Sequence, residues 1–269
     1  MPISPAVSRL PLLPDRYARP SLPSFMAYLV AFAFAMVSIQ NSGLSLERLL
    51  VGLPSISRML DQMFPPDLER ISSIGWSLLQ TFQMAVAGTV LGIVLSLPLA
   101  ILAARNISPH PVVYVLSRGL ISFFRTVPDL VWALIFVIAV GLGPAAGTMA
   151  ITIDTIGFCG RFFAEAMEET DAAPAEALNS IGASRTGMIF SAVIPQAFPS
   201  FINSSLFSLE KATRSSVVLG LVGAGGIGIE LKVAMDLFSY DVASTIILSV
   251  FMLVLVVENA STYLRSKII

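Results

Sequence analysis

Seven ionisable side chains sit within or at the ends of strongly apolar stretches: Arg125, Asp129, Asp154, Glu210, Lys211, Arg214 and Glu258. A charge in such a setting is costly, so it faces a cavity, a partner or the membrane interface. Arg125 reads as an anion contact or gate residue. The reading preferred from sequence alone is a side chain that snorkels to the interface or pairs with Asp129 four residues on. Pro128 lacks an N–H and breaks the helix, and the backbone groups it frees are tolerated only toward a cavity. Arg214, followed by Ser215 and Ser216, gathers anion-compatible donors. The same arginine can instead pair with Glu210 in an ion cluster at a membrane edge. Asp154, with Thr152 and Thr155 beside it, reads as an interhelical hydrogen-bonding group, since a carboxylate would repel an anion. Glu258, late in the last apolar run, is expected to reach the inner interface. Bond-making chemistry has no such foothold. The single histidine, His110, lies between two prolines, and the single cysteine, Cys159, has no disulfide partner and no companion metal ligands. With no nucleophile–base pair and no metal set, the chain is not expected to be an enzyme or to hold a metal.

The elements that must position these charges are membrane helices. The 269 residues are 55% hydrophobic and only 12% charged, whereas a soluble domain carries about 25% charge. Several apolar runs approach the roughly 20 residues needed to cross a bilayer. The net charge of −1 gives no basic bias toward nucleic acid.

Six spans are expected, at 25–39 (extended at both ends), 76–104, 117–142 with a break near Pro128, 144–163, 195–209 and 243–264. An uncleaved first helix is preferred to a signal peptide, because no small-x-small cleavage site follows it. Six spans put both termini on one side. Ten basic residues (Arg9, Arg16, Arg19, Arg105, Arg118, Arg125, Arg161, Arg185, Arg265 and Lys267) then fall inside. Six (Arg48, Arg58, Arg70, Lys211, Arg214 and Lys232) fall outside. That bias favours both termini in the cytoplasm. The expected organisation is a proline-rich cytoplasmic segment 1–23, a first helix and outer loop 24–75 with a short surface helix before Pro65, and a core 76–269. Gly88 and Gly92 form a small-xxx-small pair that lets two helices approach closely. Gly223, Gly225, Gly226 and Gly228 predict a tight, flexible outer loop, either a gate or a plain return.

On this topology the segment 174–187 is cytoplasmic. Pro174 suits a first helical turn. Ala177, Leu178 and Ile181 share a face, Gly182 permits the positive φ that ends a helix, and Ser184 can cap the next one. Small residues at 175, 177 and 183 would let the element fit a groove on another protein. By itself this describes a well-capped connector.

The run "EALNSIGASRTGMIFSAVIP" also resembles the EAA motif of ABC-importer permeases: Glu176-Ala177-Leu178, then Gly182, then Ile194-Pro195, with Leu178 standing where the motif has alanine. "FFRTVPD" at 123–129 resembles the Arg-x-x-Pro break of type I importer permeases, and "VGAGGIG" at 222–228 resembles their outer loop before the last span. With "FPPD" at 64–67, "VGLGPAAG" at 140–147 and "RSSVVLG" from Arg214, the chain from about Trp76 onward is similar to permeases of phosphonate importers.

The resemblance implies an all-α membrane protein with a five-helix type I core plus one N-terminal helix. It implies a bacterial inner-membrane permease that moves phosphonate or a related phosphorus oxyanion by alternating access. Another solute (phosphite, phosphate or an amino acid) or an ion-coupled carrier stands as the alternative. The implied partners are a second copy of the chain, two cytoplasmic ABC ATPase subunits, a periplasmic or lipid-anchored binding protein and membrane lipid, with no nucleic acid. Glu176, Ala177, Leu178, Gly182, Ile194 and Pro195 would couple to the ATPase. Arg125, Pro128, Arg214, Ser215 and Ser216 would line the substrate path, and the four glycines from Gly223 to Gly228 would form an outer gate loop. The glycine run at 220–228 lacks the Lys-Ser/Thr of a nucleotide loop, so ATP and Mg would bind to the partner.

Overall fold

The computed structural model describes residues 21–43 and 45–268, and every regular element among them is helical. Arg9, Arg16, Arg19 and most of the expected segment 1–23 lie outside the described residues. The chain divides into two compact units between Arg58 and Met59.

In the first unit, α1 (Leu22–Asn41) is apolar on all sides and buries none of its residues. The helix α2 (Leu46–Gln62) begins in this unit and is amphipathic. Leu46, Leu49, Leu50, Leu53 and Ile56 recur at helical spacing on one face, while Glu47, Arg48 and Arg58 take the other. This is the surface helix expected before Pro65, at 17 residues longer than anticipated.

The second unit is built on three long helices, α3 (Ile71–Ala103), α6 (Pro144–Glu168) and α9 (Ile194–Leu221). Between α3 and α6 come α4 (Pro111–Thr126) and α5 (Asp129–Val140); between α6 and α9 come α7 (Ala172–Ser180), α8 (Arg185–Met188) and a π-helical turn, Ile189–Val193. The chain ends with α10 (Ile227–Asp236) and α11 (Tyr240–Ile268). The largest helix–helix contact joins α3 to α6. Its cause is the glycine pair read from the sequence. A Cβ on Gly88 would lie 2.7 Å from Ile151 Cβ and 2.9 Å from the Thr148 carbonyl. One on Gly92 would lie 2.6 Å from Thr155 Cγ2 and 2.9 Å from the Thr152 carbonyl. Without side chains there, the two backbones close on each other and gain dispersion contacts, the main attraction left between helices in lipid. Toward one end a second core forms, where Phe163 and Phe201 meet at 4.5 Å among Ala100, Ala103, Ile121 and Ile189.

Among the described residues, α1, α3 and α11 are long and apolar enough to cross a membrane, and α4 with α5 passes the same test as a pair bent by 89°. The break expected near Pro128 within the span at 117–142 is present, and it is a right-angle bend. Val127 takes extended backbone (φ −77°, ψ 122°) because its neighbour is proline, and Pro128 follows at φ −57°, ψ 143°. Two extended residues turn the chain through a right angle. The span expected at 195–209 is corrected, because α9 continues for 12 residues beyond Leu209. Glu210 and Lys211 do not end it, since each is neutralised by an ion pair to another helix. Its start is preceded by the π turn. Pro195 cannot donate to the carbonyl four residues back, and the wider turn sits where that bond is missing. Finally, α10 was not expected, and Gly228 lies inside it rather than in a loop.

Candidate functional site

The segment from Asp171 to Met188 is built from local caps. The Asp171 carboxylate accepts the Ala173 N–H at 3.1 Å and starts α7. At the other end the Ala183 N–H donates to the Leu178 carbonyl and the Gly182 N–H to that of Asn179, both at 3.0 Å. This 6→1 and 5→2 pairing is a Schellman motif with Gly182 at C′, and its φ is +82°. Ser184 then accepts the Gly187 N–H at 3.2 Å and opens α8. The glycine stop at Gly182 and the cap at Ser184 are those expected, whereas the helix opens before Pro174, on a cap at Asp171 that was not foreseen. Glu176, Ala177 and Ile181 are exposed and Leu178 half-buried, and no residue of α7 is buried.

What holds this segment to the helices was not legible in the sequence. Arg185 Nη2 donates to the carbonyls of Ile107, at 2.8 Å, and Ser108, in the connection between α3 and α4. Gln196 accepts the Asp171 N–H at 3.2 Å. Beside them Glu168 accepts from the Arg105 N–H at 2.7 Å and from Arg118 at 2.8 Å, while Arg118 also donates to the Ala103 carbonyl. The ends of α3 and α6, the middle of α4 and the start of α8 are thus clasped by charge-assisted hydrogen bonds. Arg105, Arg118 and Arg185 had counted only as basic residues on one side.

The charges within the helices resolve as follows. Asp154 of α6 takes the Lys211 ammonium of α9 on both oxygens at 2.8 Å, the interhelical role expected of it. One turn away Ser208 and Thr155 hydrogen-bond at 3.3 Å across the same interface. Glu210 is buried and pairs with Arg265 of α11, not with Arg214. Helix packing turns Glu210 toward α11 and Arg214 outward. Arg125 and Asp129 do not pair either, because the bend at Val127 and Pro128 separates them, and Asp129 accepts the Leu130 N–H instead. Arg125 and Arg214 are both exposed and join no ion pair among the described residues. Ser215 is half-buried, whereas Ser216 is buried and donates to the Thr213 carbonyl at 2.9 Å, so its hydroxyl is already engaged.

The glycine turn is tight, as expected, and firmly held. Gly223, Gly225 and Gly226 have φ of +89°, +88° and +74°. The Gly143 N–H donates to Gly223 O at 3.0 Å, the Gly226 N–H to Gln80 at 3.2 Å and the Ile227 N–H to Thr81 at 2.7 Å. Gly228 serves packing: a Cβ there would lie 2.7 Å from Gly220 Cα.

Heights follow from helix rise. Asp154 is 11 residues from Gly143 and Lys211 is 12 from Gly223, and those two glycines are bonded to each other. At 1.5 Å per residue the pair lies roughly 16–18 Å along the helices from the glycine turn. Arg214 lies roughly 13 Å from the turn by the same rule. Gly157 of α6, against whose Cα the Arg125 backbone packs, lies roughly 21 Å from it. Asp154, Lys211 and the Arg125 backbone that packs on Gly157 thus lie near the mid-length of α6 and α9, with Arg214 about one turn nearer the glycine turn.

With this geometry in view, the comparisons are consistent. Residues 96–269 match the family model described as binding-protein-dependent transport system inner membrane component. The chain is 40% identical over 217 residues to the phosphite transport system permease protein PtxC of Stutzerimonas stutzeri, covering 81% of this chain and 79% of that one. It is 38% identical over 263 residues to the phosphate-import permease protein PhnE of Mycolicibacterium smegmatis, covering 97% of this chain and 48% of that one, so it spans about half the length of that relative. Among solved structures it is similar to the inward-facing MetNI methionine ABC transporter, with a TM-score of 0.68 at 19% identity over 76% of this chain and 99% of that one. At that identity the likeness carries the fold, that of a type I importer permease.

Proposed function

The chain belongs to the family of binding-protein-dependent transport system inner membrane components, a transport subunit and not an enzyme, and from that premise we propose that it imports phosphonate or a related phosphorus oxyanion across the bacterial inner membrane. The observation that carries the cargo is the agreement between the relatives and the site. The two relatives named above are a phosphite and a phosphate permease, and the middle zone of the helices presents two exposed, unpaired arginines, Arg125 and Arg214. An exposed guanidinium at that depth is tolerable only against water, protein or an anion, and guanidinium matches phosphorus oxyanions well.

The working assembly in this reading is two copies of the chain, two cytoplasmic ABC ATPases that bind ATP and Mg, and an outer binding protein that delivers substrate. Each copy crosses the membrane six times with both termini inside, α4 and α5 counting as one bent span and α1 lying outside the five-helix core. Glu176, Ala177 and Leu178 present an uncovered helix to the ATPase. Gly182 forms its joint, and Ile194 and Pro195 lead the motion into α9. Arg185 supports this role, since it ties the element to the connection between α3 and α4. Arg125, Pro128, Arg214 and Ser215 line the path, with Arg214 the principal anion contact, while Ser216, buried and bonded to the Thr213 carbonyl, packs behind them. Gly223, Gly225 and Gly226 close the path on the outer side as a rigid plug, and Gly228 packs behind them on Gly220.

The test is ATPase activity of the reconstituted complex with its binding protein, given methylphosphonate, 2-aminoethylphosphonate, phosphite, phosphate and methionine in turn. Stimulation by a phosphorus oxyanion, lost in Gly182→Asp, is expected. Stimulation by methionine alone would overturn the cargo and leave the coupling role intact.

A further inference from the structure

One face of α9 is uncovered along most of its length. Asn203, Phe207, Arg214 and Val218 are exposed at helical spacing, and Lys211 lies on the same stripe at mid-height. Lys211 is the most constrained member of that stripe. Both Asp154 oxygens hold its ammonium at 2.8 Å, and Phe158, itself stacked on Phe207 at 5.4 Å, lies 5.7 Å from it. The lysine side chain is nevertheless 37% exposed, against 18% for Asp154. The cation is therefore the outer partner and the carboxylate the inner one. The other nearby acid, Glu210, points away and is consumed by Arg265.

Resting on the import of a phosphorus oxyanion argued above, we propose that Lys211 is a substrate contact and Asp154 its displaceable counter-ion. A further unpaired cation beside the free Arg214 would add like-charge repulsion in an empty path. Paired to Asp154 it is neutral overall, so the path can stand empty. An arriving oxyanion exchanges one anionic partner of Lys211 for another, without creating an unpaired charge. The site is complete only with a second copy of the chain. Two facing stripes bring two unpaired Arg214 side chains, a charge of +2 that matches a dianion, and two Lys211 ammoniums held in reserve beside them. A purely structural pair would more naturally bury the lysine as deeply as the aspartate.

The experiment uses the full complex of permease, ATPase and binding protein in proteoliposomes, with uptake of methylphosphonate, phosphite and phosphate as readout. Three variants are compared: Lys211→Arg, the swap Asp154→Lys with Lys211→Asp, and the neutral pair Asp154→Asn with Lys211→Gln. The swap keeps an ion pair but turns a carboxylate toward the path, so a structural role would be rescued by it and a substrate contact would not. Uptake within about threefold of wild type is expected for Lys211→Arg, and a loss of about tenfold or more for both double variants. Melting temperature checks folding, and if the swap fails to fold, the neutral pair carries the test. Undiminished uptake in the folded double variants overturns the role of Lys211 while the importer reading stands. Wild-type complex that takes up none of the three anions overturns that reading and this inference with it.

Discussion

Replacing Gly182 isolates the backbone term in the α7–α8 joint. Its φ is +82° and a Cβ would meet nothing within 4 Å, so sterics with the surroundings are absent and only the left-handed conformation is at stake. For an L-residue such as alanine that conformation costs about 1–2 kcal/mol. The two hydrogen bonds that close the motif, Ala183 N–H to Leu178 O and Gly182 N–H to Asn179 O, depend on it. The closed joint should therefore lose population relative to open forms by a factor of about 5–30 in Gly182→Ala. Asparagine tolerates this region better, so Gly182→Asn should fall between the two. Hydrogen exchange by mass spectrometry on the full chain, read over residues 178–184, reports the loss directly as faster exchange. In the reconstituted complex the same order, glycine then asparagine then alanine, should appear in substrate moved per ATP hydrolysed. Equal protection in the alanine and glycine proteins would refute the Schellman assignment. Reduced protection with unchanged coupling would keep the geometry and remove its role in transmission.

Gly92→Ala should destabilise the detergent-solubilised chain by about 1–3 kcal/mol through overpacking against Thr155 and the Thr152 carbonyl. Gly75→Ala, also in α3 but with nothing within 4 Å, should be neutral or stabilising by up to about 1 kcal/mol; equal melting temperatures would contradict the packing account. Arg185→Met removes the bonds to the Ile107 and Ser108 carbonyls and should cost about 1.5–3 kcal/mol locally. It would be seen as faster exchange over residues 178–190, with Arg185→Lys only partly protective. Gly225→Ala combines a positive φ with a Cβ 2.7 Å from Pro144 N and should cost about 2–5 kcal/mol; an unchanged melting temperature would show that the glycine turn yields freely.

Some of the fold was legible because it depends on neighbours in sequence. The cap at Ser184 and the stop at Gly182 are local hydrogen-bond problems solved within a few residues. The close approach at Gly88 and Gly92 follows from two missing side chains one turn apart on an apolar helix. Two elements were misjudged because what extends or starts them is a tertiary partner, invisible to neighbours in sequence. The helix α9 runs past Glu210 and Lys211 because Arg265 and Asp154 neutralise them. The helix α10 begins where the Gln80 and Thr81 side chains hold the turn at Gly226 and Ile227, and both lie in α3, far away along the chain.

By itself, then, the sequence determined the membrane class, the hinged element at 174–187 with its glycine stop and second cap, and the set of charges available within the apolar helices. Those follow from composition, periodicity and local backbone geometry. Which charge meets which was decided only by the packing of α3, α6, α9 and α11. An ion pair between Asp154 and Lys211, 57 positions apart, forms because two helices meet at one height. The i,i+4 rule offered Glu210 with Arg214 and Arg125 with Asp129, and the structure makes neither. A helix–helix interface takes Glu210 from the first pair, and a right-angle bend separates the second.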